Sequence, residues 1–185
     1  MRPGVWSRSA RFPPSRWAVA AGLAAVLVLA GVWLDGAGPP LVGRAQATDG
    51  DTLRLGGQRI RLIGLDAPEL DQTCSAVGGE WPCGTRARLF LVDLLKQGEV
   101  TCQRLGHDAY RRVLATCVGS NRDLGAQIVA TGWAVADLRY SAEENGARAA
   151  ARGIWSGSFV LPAEWRRSHG VGAPGLWEWI RSWFQ

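Results

Sequence analysis

Strand-like and helix-like segments alternate along this 185-residue chain in a way that predicts an α+β fold. The expected form is a small five-stranded barrel with three helices, preceded by an N-terminal apolar helix. Three observations carry this expectation. Three β-like runs meander between Leu41 and Leu65, joined by Asp49-Gly50 and Gly56-Gly57, both tight-turn dipeptides. A second hairpin pattern follows at Val100–Leu105 and Arg112–Val118. An apolar stripe at helical spacing, Ala87, Phe90, Leu91, Leu94 and Leu95, marks a helix over Thr85–Lys96.

Residues 1–16 hold Arg2, Arg8, Arg11 and Arg16 and form a basic flank. Residues 17–34 carry no charge and are just long enough to span a bilayer. Basic residues before the run and Asp35 after it predict a cytoplasmic N-terminus and an extracytoplasmic body, with Trp17 and Trp33 at the interfaces. An uncleaved anchor is the favoured expectation, and secretion after signal cleavage is the rival. Against cleavage, Pro39 would follow a cut after Gly38, and Ala45-Gln46-Ala47 lies inside the first predicted strand.

Residues 35–40 form a linker by composition, and 41–168 form the folded domain. Within it, Leu41–Ala47, Thr52–Leu55 and Gln58–Leu65 are the first three strands, whereas Leu70–Cys83 has no apolar period and reads as a loop. Asn121 or Asp123 can cap a helix through Thr131, and Gly132–Ala136 reads as a short buried strand. Ser141 caps a last helix with Glu143 and Glu144 in its first turn, and Gly153 ends it. Five main strands with helices packed outside match an oligonucleotide/oligosaccharide-binding (OB) barrel. Residues 169–185 are a Gly-rich linker and a Trp-rich tail, with Leu176, Trp177, Ile180, Trp183 and Phe184 at helical spacing. That tail could lie on the membrane surface, dock on a partner or fold onto its own domain.

Basic residues exceed acidic ones by five, and of the 21 basic residues only Lys96 is lysine. A preference for Arg suits phosphate recognition. It suits a GC-rich genome equally, and that explanation carries more weight. The four cysteines become disulfide candidates if the domain is exported. Cys102 and Cys117 are equidistant from the Ala109–Tyr110 step, so a regular hairpin sets them opposite each other, and Cys74 and Cys83 bracket one loop. Cys74–Cys83 and Cys102–Cys117 are therefore the expected pairs among three connectivities. Free thiols would require a reduced compartment, and the absence of any C-x-x-C pair argues against zinc.

The stretch Ala47–Glu69 holds two acidic clusters, Asp49-Gly50-Asp51-Thr52 and Asp66-Ala67-Pro68-Glu69, with Arg61 between them. Asp51 and Asp66 are candidate ligands for a hard cation, and the main-chain carbonyl of Ala67 is a further oxygen donor. Few carboxylates plus water leave room for a phosphate oxygen on the ion. Each cluster alone is a weak signal, because an Asp-Gly corner is usually a solvated turn. Strict alternation puts Arg61 and Asp66 on opposite faces, so a break is needed, and Gly64 could allow one. Arg112 could face Arg61 across a phosphate, although taken singly it reads better as a turn arginine paired with Asp108.

The blocks D-G-D-T, R-L-I-G-L-D-A-P-E, C-G at Cys83-Gly84, D-A-Y-R-R, D-L-G-A-Q-I-V-A-T-G-W-A from Asp123, Tyr140 and G-I-W-S from Gly153 form an ordered set. Together with their spacing, they resemble the staphylococcal-nuclease-like (thermonuclease) family over Leu41–Gly157. The resemblance implies the OB barrel with three helices and one bound calcium ion. It also implies cleavage of DNA and RNA phosphodiesters with little sequence preference, leaving 3′-phosphate ends. By the same resemblance, Asp51, Asp66 and the Ala67 carbonyl hold the ion, with Asp49 an acidic neighbour. Glu69 is the general base near the attacking water, Arg61 and Arg112 bind the phosphate, and Tyr110 and Tyr140 line the nucleotide pocket.

Two positions depart from the family. Arg111 stands where Gly is usual, a change that could misplace Arg112 or add a cation to the grip on the nucleic acid strand. Leu138 replaces a pocket tyrosine. The expected protein is a monomeric, membrane-tethered, calcium-dependent nuclease acting on single-stranded or unpaired DNA and RNA. The alternative is a non-catalytic OB-fold module that binds nucleic acid or a protein partner at the membrane surface.

Overall fold

The computed structural model describes Gly22 and residues 38–170. The N-terminal apolar segment and the Trp-rich tail beyond Gly170 lie outside the described residues. The strand expected over Leu41–Ala47 is divided at Arg44 into β1 (Leu41–Gly43) and β2 (Ala45–Ala47). Its two halves take different neighbours: β1 pairs with β8 (Val100–His107) and β2 with β3 (Thr52–Leu55), both antiparallel. β3 pairs with β4 (Gln58–Leu62), β4 runs parallel to β9 (Val113–Gly119), and β9 pairs back to β8. Because β1 and β2 stand at opposite ends of this path, the mixed sheet curls back on itself, and the architecture is an α+β, OB-like fold.

Several local expectations need correction. The third strand stops at Leu62, and the chain re-enters pairing as β5 (Leu65–Asp66), opposite β11 (Val135–Ala136). Leu70–Cys83 is not all loop: β6 (Cys74–Ala76) and β7 (Gly79–Trp81) form a small hairpin, too short for an apolar period. β10 (Arg122–Asp123) extends the sheet beside β9. Four α-helices, not three, occur among the described residues: α1 (Cys83–Leu95), α2 (Leu124–Ala130), α3 (Ser141–Ala149) and α4 (Pro162–Ser168). Asp123 caps α2, accepting from the Ala126 N–H at 3.0 Å. Ser141 does not cap α3; it is the helix's first residue, and its hydroxyl donates back to the Leu138 carbonyl. α3 stops at Ala149, before Gly153, which opens a 3₁₀ turn instead.

Alternation along β3 and β4 turns Leu53, Leu55, Ile60 and Leu62 into the core and leaves Arg54, Arg59 and Arg61 on the other face. Leu91, Leu94 and Leu95 of α1 and Leu124, Ile128 and Val129 of α2 close over that core. Both expected disulfides are formed, and no cysteine is left free. Cys102 and Cys117 are direct partners in the β8–β9 register, and Cys74–Cys83 joins the small hairpin to the start of α1.

Replacing Cys102 and Cys117 together by Ala is expected to lower the unfolding free energy by about 2–4 kcal/mol, because the bond constrains the unfolded chain. Urea denaturation of the full chain and of the double variant measures this, and equal midpoints would refute it.

Candidate active site

Gly64 supplies the break that alternation along β4 demands. Its φ is +87°, a backbone region that favours glycine, and a Cβ there would come within 2.9 Å of the Tyr140 and Arg139 side chains. The chain turns after Leu62 and brings Asp66 within reach of Arg61. Arg61 then bridges both acidic corners: Nη1 donates to Asp51 Oδ1 and Nη2 to Asp66 Oδ1, each at 2.7 Å. Asp51 is only 3% exposed. Its Oδ1 also accepts from the Thr52 hydroxyl at 3.0 Å, and its Oδ2 from the Ala67 N–H at 3.1 Å. Asp49 Oδ1 accepts from the Asp51 N–H at 3.1 Å and so shapes the first corner. Burial pushes the Asp51 carboxyl up to about 7 despite the opposing pull of Arg61.

Glu69 is seated from below by α1. A side chain at Gly84, in the first turn of that helix, would overlap the Glu69 carbonyl, so only glycine lets the helix approach this closely. Gln72, fully buried, accepts from the Glu69 N–H at 3.2 Å. Arg112 makes the expected turn pairing and also lines the cavity. Its Nε donates to Asp108 Oδ2 at 2.6 Å, the turn pairing, while Nη1 points back to Thr52 Oγ1 at 3.4 Å. Its guanidinium also lies 5.6 Å from the Tyr110 ring centroid.

Arg111 has a φ of 60°, the left-handed conformation that a glycine takes without cost. Arg112 is nevertheless held, because Asp108 Oδ1 accepts from the N–H groups of both Tyr110 and Arg112 and fastens the turn.

A cavity of about 580 Å³ opens at this place. Of the residues singled out in the sequence, Asp49, Asp51, Arg61, Ala67, Glu69, Tyr110 and Arg112 line it. Asp66 is held at its edge through Arg61, and Arg111 is exposed outside the lining. Tyr140 is not in the cavity. It is buried, and its hydroxyl donates to Asp123, at 3.0 and 3.1 Å from the two carboxylate oxygens, so it organises the α2 cap rather than facing a nucleotide. Burial and the Asp123 charge raise its phenol well above the ordinary range.

Two lining residues escaped the sequence. Arg59 sits two before Arg61 on β4, and period-two alternation could have placed it beside its neighbour. Arg166, on α4, donates from Nη1 to Asp66 Oδ1 at 2.9 Å and to Glu69 Oε1 at 2.7 Å, and from Nη2 to Asp66 Oδ2 at 2.9 Å. It lies 97 and 100 residues from those partners, and no local pattern could have signalled it.

Asp51 and Asp66 are hard oxygen donors close enough to share one guanidinium, a donor set that suits a cation completing its shell with water. Among the described residues no three His, Cys, Asp or Glu side chains gather into a fuller ligand cluster.

The sequence profile of the family described as staphylococcal nuclease homologue matches residues 59–157. The chain belongs to that family. Two curated proteins are similar to this chain. The succinoglycan biosynthesis protein ExoI of Rhizobium meliloti is 32% identical over 133 residues, which cover 65% of this chain and 67% of that protein. An uncharacterized endonuclease of Haemophilus influenzae is 31% identical over 137 residues, covering 67% of this chain and 71% of that protein. The family's chemistry is phosphodiester hydrolysis and is metal-dependent. The profile begins at Arg59, so Asp49 and Asp51 precede it; the place of Asp51 in the site rests on its contacts with Arg61 and Ala67, and that of Asp49 on its bond from the Asp51 N–H and its position in the cavity lining.

Arg111→Gly is expected to raise the unfolding free energy by about 0.5–1 kcal/mol, the left-handed cost less glycine's greater unfolded entropy. Thermal melting of the full chain measures this; a lower midpoint in the variant would show that Arg111 is held in place by contacts worth more than the strain.

Proposed function

We propose that the chain is a calcium-dependent nuclease that cleaves DNA and RNA with low sequence preference, leaves 3′-phosphate ends, and is tethered outside the cytoplasm by residues 17–34. The observation that carries this proposal is the convergence of Asp51, Glu69, Arg61 and Arg112 on one cavity, with Asp66 joined to it through Arg61. Two disulfides and no free cysteine support an oxidising compartment.

Asp51 and Asp66, with the Ala67 carbonyl, would hold the calcium ion, which when bound supplies a Lewis acid to polarise the phosphoryl oxygen. Arg61 from β4 and Arg112 from the edge of β9 approach a phosphate from separate strands. Their guanidiniums bind its non-bridging oxygens and stabilise the added negative charge of the pentacoordinate transition state. Glu69 takes a proton from the attacking water. The water oxygen bonds to phosphorus as the bond to the 5′ oxygen breaks, and that oxygen takes a proton from solvent water and leaves as a hydroxyl. Tyr110, half-exposed on the cavity wall, offers a face on which a base can stack.

One observation favours a second reading. Arg166 already pairs with both Asp66 and Glu69, as a non-catalytic OB module that only binds nucleic acid would permit. Such a module would bind strands in a salt-sensitive way and release no product.

The full chain, purified and given single-stranded DNA, is expected to cut it with calcium and not with chelator. Glu69→Gln and Arg112→Ala should each lower kcat by about 100-fold or more. Absence of calcium-dependent cleavage, or undiminished cleavage by both variants, would end the nuclease proposal.

The pH dependence has a definite sign. Asp51 must be ionised to hold the ion, and its carboxyl is raised from 3.8 to about 7, so calcium affinity should fall as pH drops through 7. Without the ion the trend reverses. Burial favours the protonated carboxyl, so stability should rise as pH falls from above 7 toward 3.8. Calorimetric titration at pH 6 and pH 8 tests the first statement, and denaturation without calcium tests the second.

A further inference from the structure

The C-terminal segment is built into the site rather than appended to it. Ser158 exchanges two backbone hydrogen bonds with Ser75 of β6, at 2.8 and 2.9 Å. Gln72 Nε2 donates to the Val160 carbonyl at 2.6 Å, while Gln72 Oε1 holds the Glu69 N–H. Residues 158–160 are thus stapled to the same loop that carries Glu69, and Cys74–Cys83 closes that loop onto α1. α4 follows at once, with Pro162 at its start and buried. Arg166 is therefore delivered to the cavity by a fixed route.

Once there, the guanidinium uses three hydrogen bonds to hold both oxygens of Asp66 and one of Glu69. A hard cation needs direct lone pairs on these carboxylate oxygens and is repelled by a guanidinium at that range. Arg61 already takes one lone pair of Asp66 Oδ1, and Arg166 fills the other and one on Oδ2, so an ion held by Asp66 has to take up sites that Arg166 now occupies.

We propose that Arg166 is a built-in counter-cation: it occupies the Asp66–Glu69 pair in the ion-free protein, and a divalent cation must displace it to bind. The inference rests on the proposal that Asp66, together with Asp51, holds a metal ion, but not on turnover. It gives α4 a defined function. The helix stabilises the clustered carboxylates when no ion is present and sets the cation concentration at which the site loads.

The test is calorimetric titration of calcium into the full chain, wild type against Arg166→Ala and Arg166→Lys. Arg166→Ala should bind calcium tighter by about tenfold or more, since a single charge-assisted hydrogen bond that need no longer be broken is already of that order and Arg166 makes two to Asp66. Arg166→Lys, which keeps the charge but loses the fork, should fall between. A second readout guards against a merely structural role: calcium should raise the melting temperature of Arg166→Ala by more than that of the wild type.

Equal or weaker calcium binding by Arg166→Ala overturns the inference, as does the absence of calcium binding by any of the three proteins. If Arg166→Ala fails to fold, Arg166→Lys decides: tighter binding than wild type supports the inference, and equal or weaker binding overturns it. The nuclease proposal fails separately. Tighter binding without Arg166 in a chain that cuts nothing removes the nuclease and keeps the counter-cation. Calcium-dependent cleavage with no gain in affinity does the opposite.

Discussion

One guanidinium between two carboxylates governs the arrangement of this site. Arg61 reaches Asp51 with one nitrogen and Asp66 with the other, and the Ala67 N–H, next to Asp66 in the chain, holds the second oxygen of Asp51. From that bridge a continuous hydrogen-bonded chain extends both ways: Arg112 to Thr52, Thr52 to Asp51, then Arg61, Asp66, Arg166 and Glu69. Charges taken out of water are costly unless paired and bonded, and breaking such a pair leaves the remaining partner uncompensated. The alternation of donors and acceptors along this chain therefore constrains every strand that contributes to it. β3, β4, β5, the turn before β9 and α4 must all meet within one guanidinium's reach.

The local backbone features serve that requirement. Gly64 rotates the chain between Arg61 and Asp66, Gly84 lets α1 press against the Glu69 turn, and Asp108 compensates for the strained Arg111 so that Arg112 keeps its place. Tyr140 packs against Gly64 and anchors to Asp123, tying the turn between the acids to the cap of α2. A residue that reads as a substrate contact is thus part of the frame that holds the substrate contacts.

The sequence disclosed those features whose cause is local. Asp-Gly and Gly-Gly corners, period-two alternation and the capping aspartate depend on neighbours a few residues away, so strands β3 and β4, the β8–β9 hairpin and the α2 cap could be placed. The Cys102–Cys117 pair followed because hairpin symmetry is arithmetic. The split of the first strand at Arg44 was not legible, since each half pairs with a strand chosen by the closing sheet. Arg166 was hidden for the same reason on a larger scale. Trp165 beside Arg166-Arg167 reads as a segment that packs back on the body, but the partners of Arg166 lie 97 and 100 residues away and nothing local names them. The burial of Tyr140 was masked by a resemblance that assigns its position to the pocket, whereas the geometry gives its hydroxyl to Asp123.

The two sides of the site differ in how firmly they are fixed. Asp51 is buried and bonded to the Ala67 backbone, and Arg61 rises from a strand paired on both sides, with Thr52 and Leu114 as its partners. Arg166 stands on a seven-residue helix whose own contacts are mostly exposed, and it reaches the carboxylates with a long, rotatable side chain. The carboxylates and Arg61 thus form a preorganised half, and Arg166 the half that can swing away by side-chain rotation, at the cost of its three bonds to Asp66 and Glu69. A site that gathers this much negative charge before its cation arrives needs such an asymmetry. A counter-ion as rigid as the frame would block loading, and none at all would leave the acids to repel one another through folding.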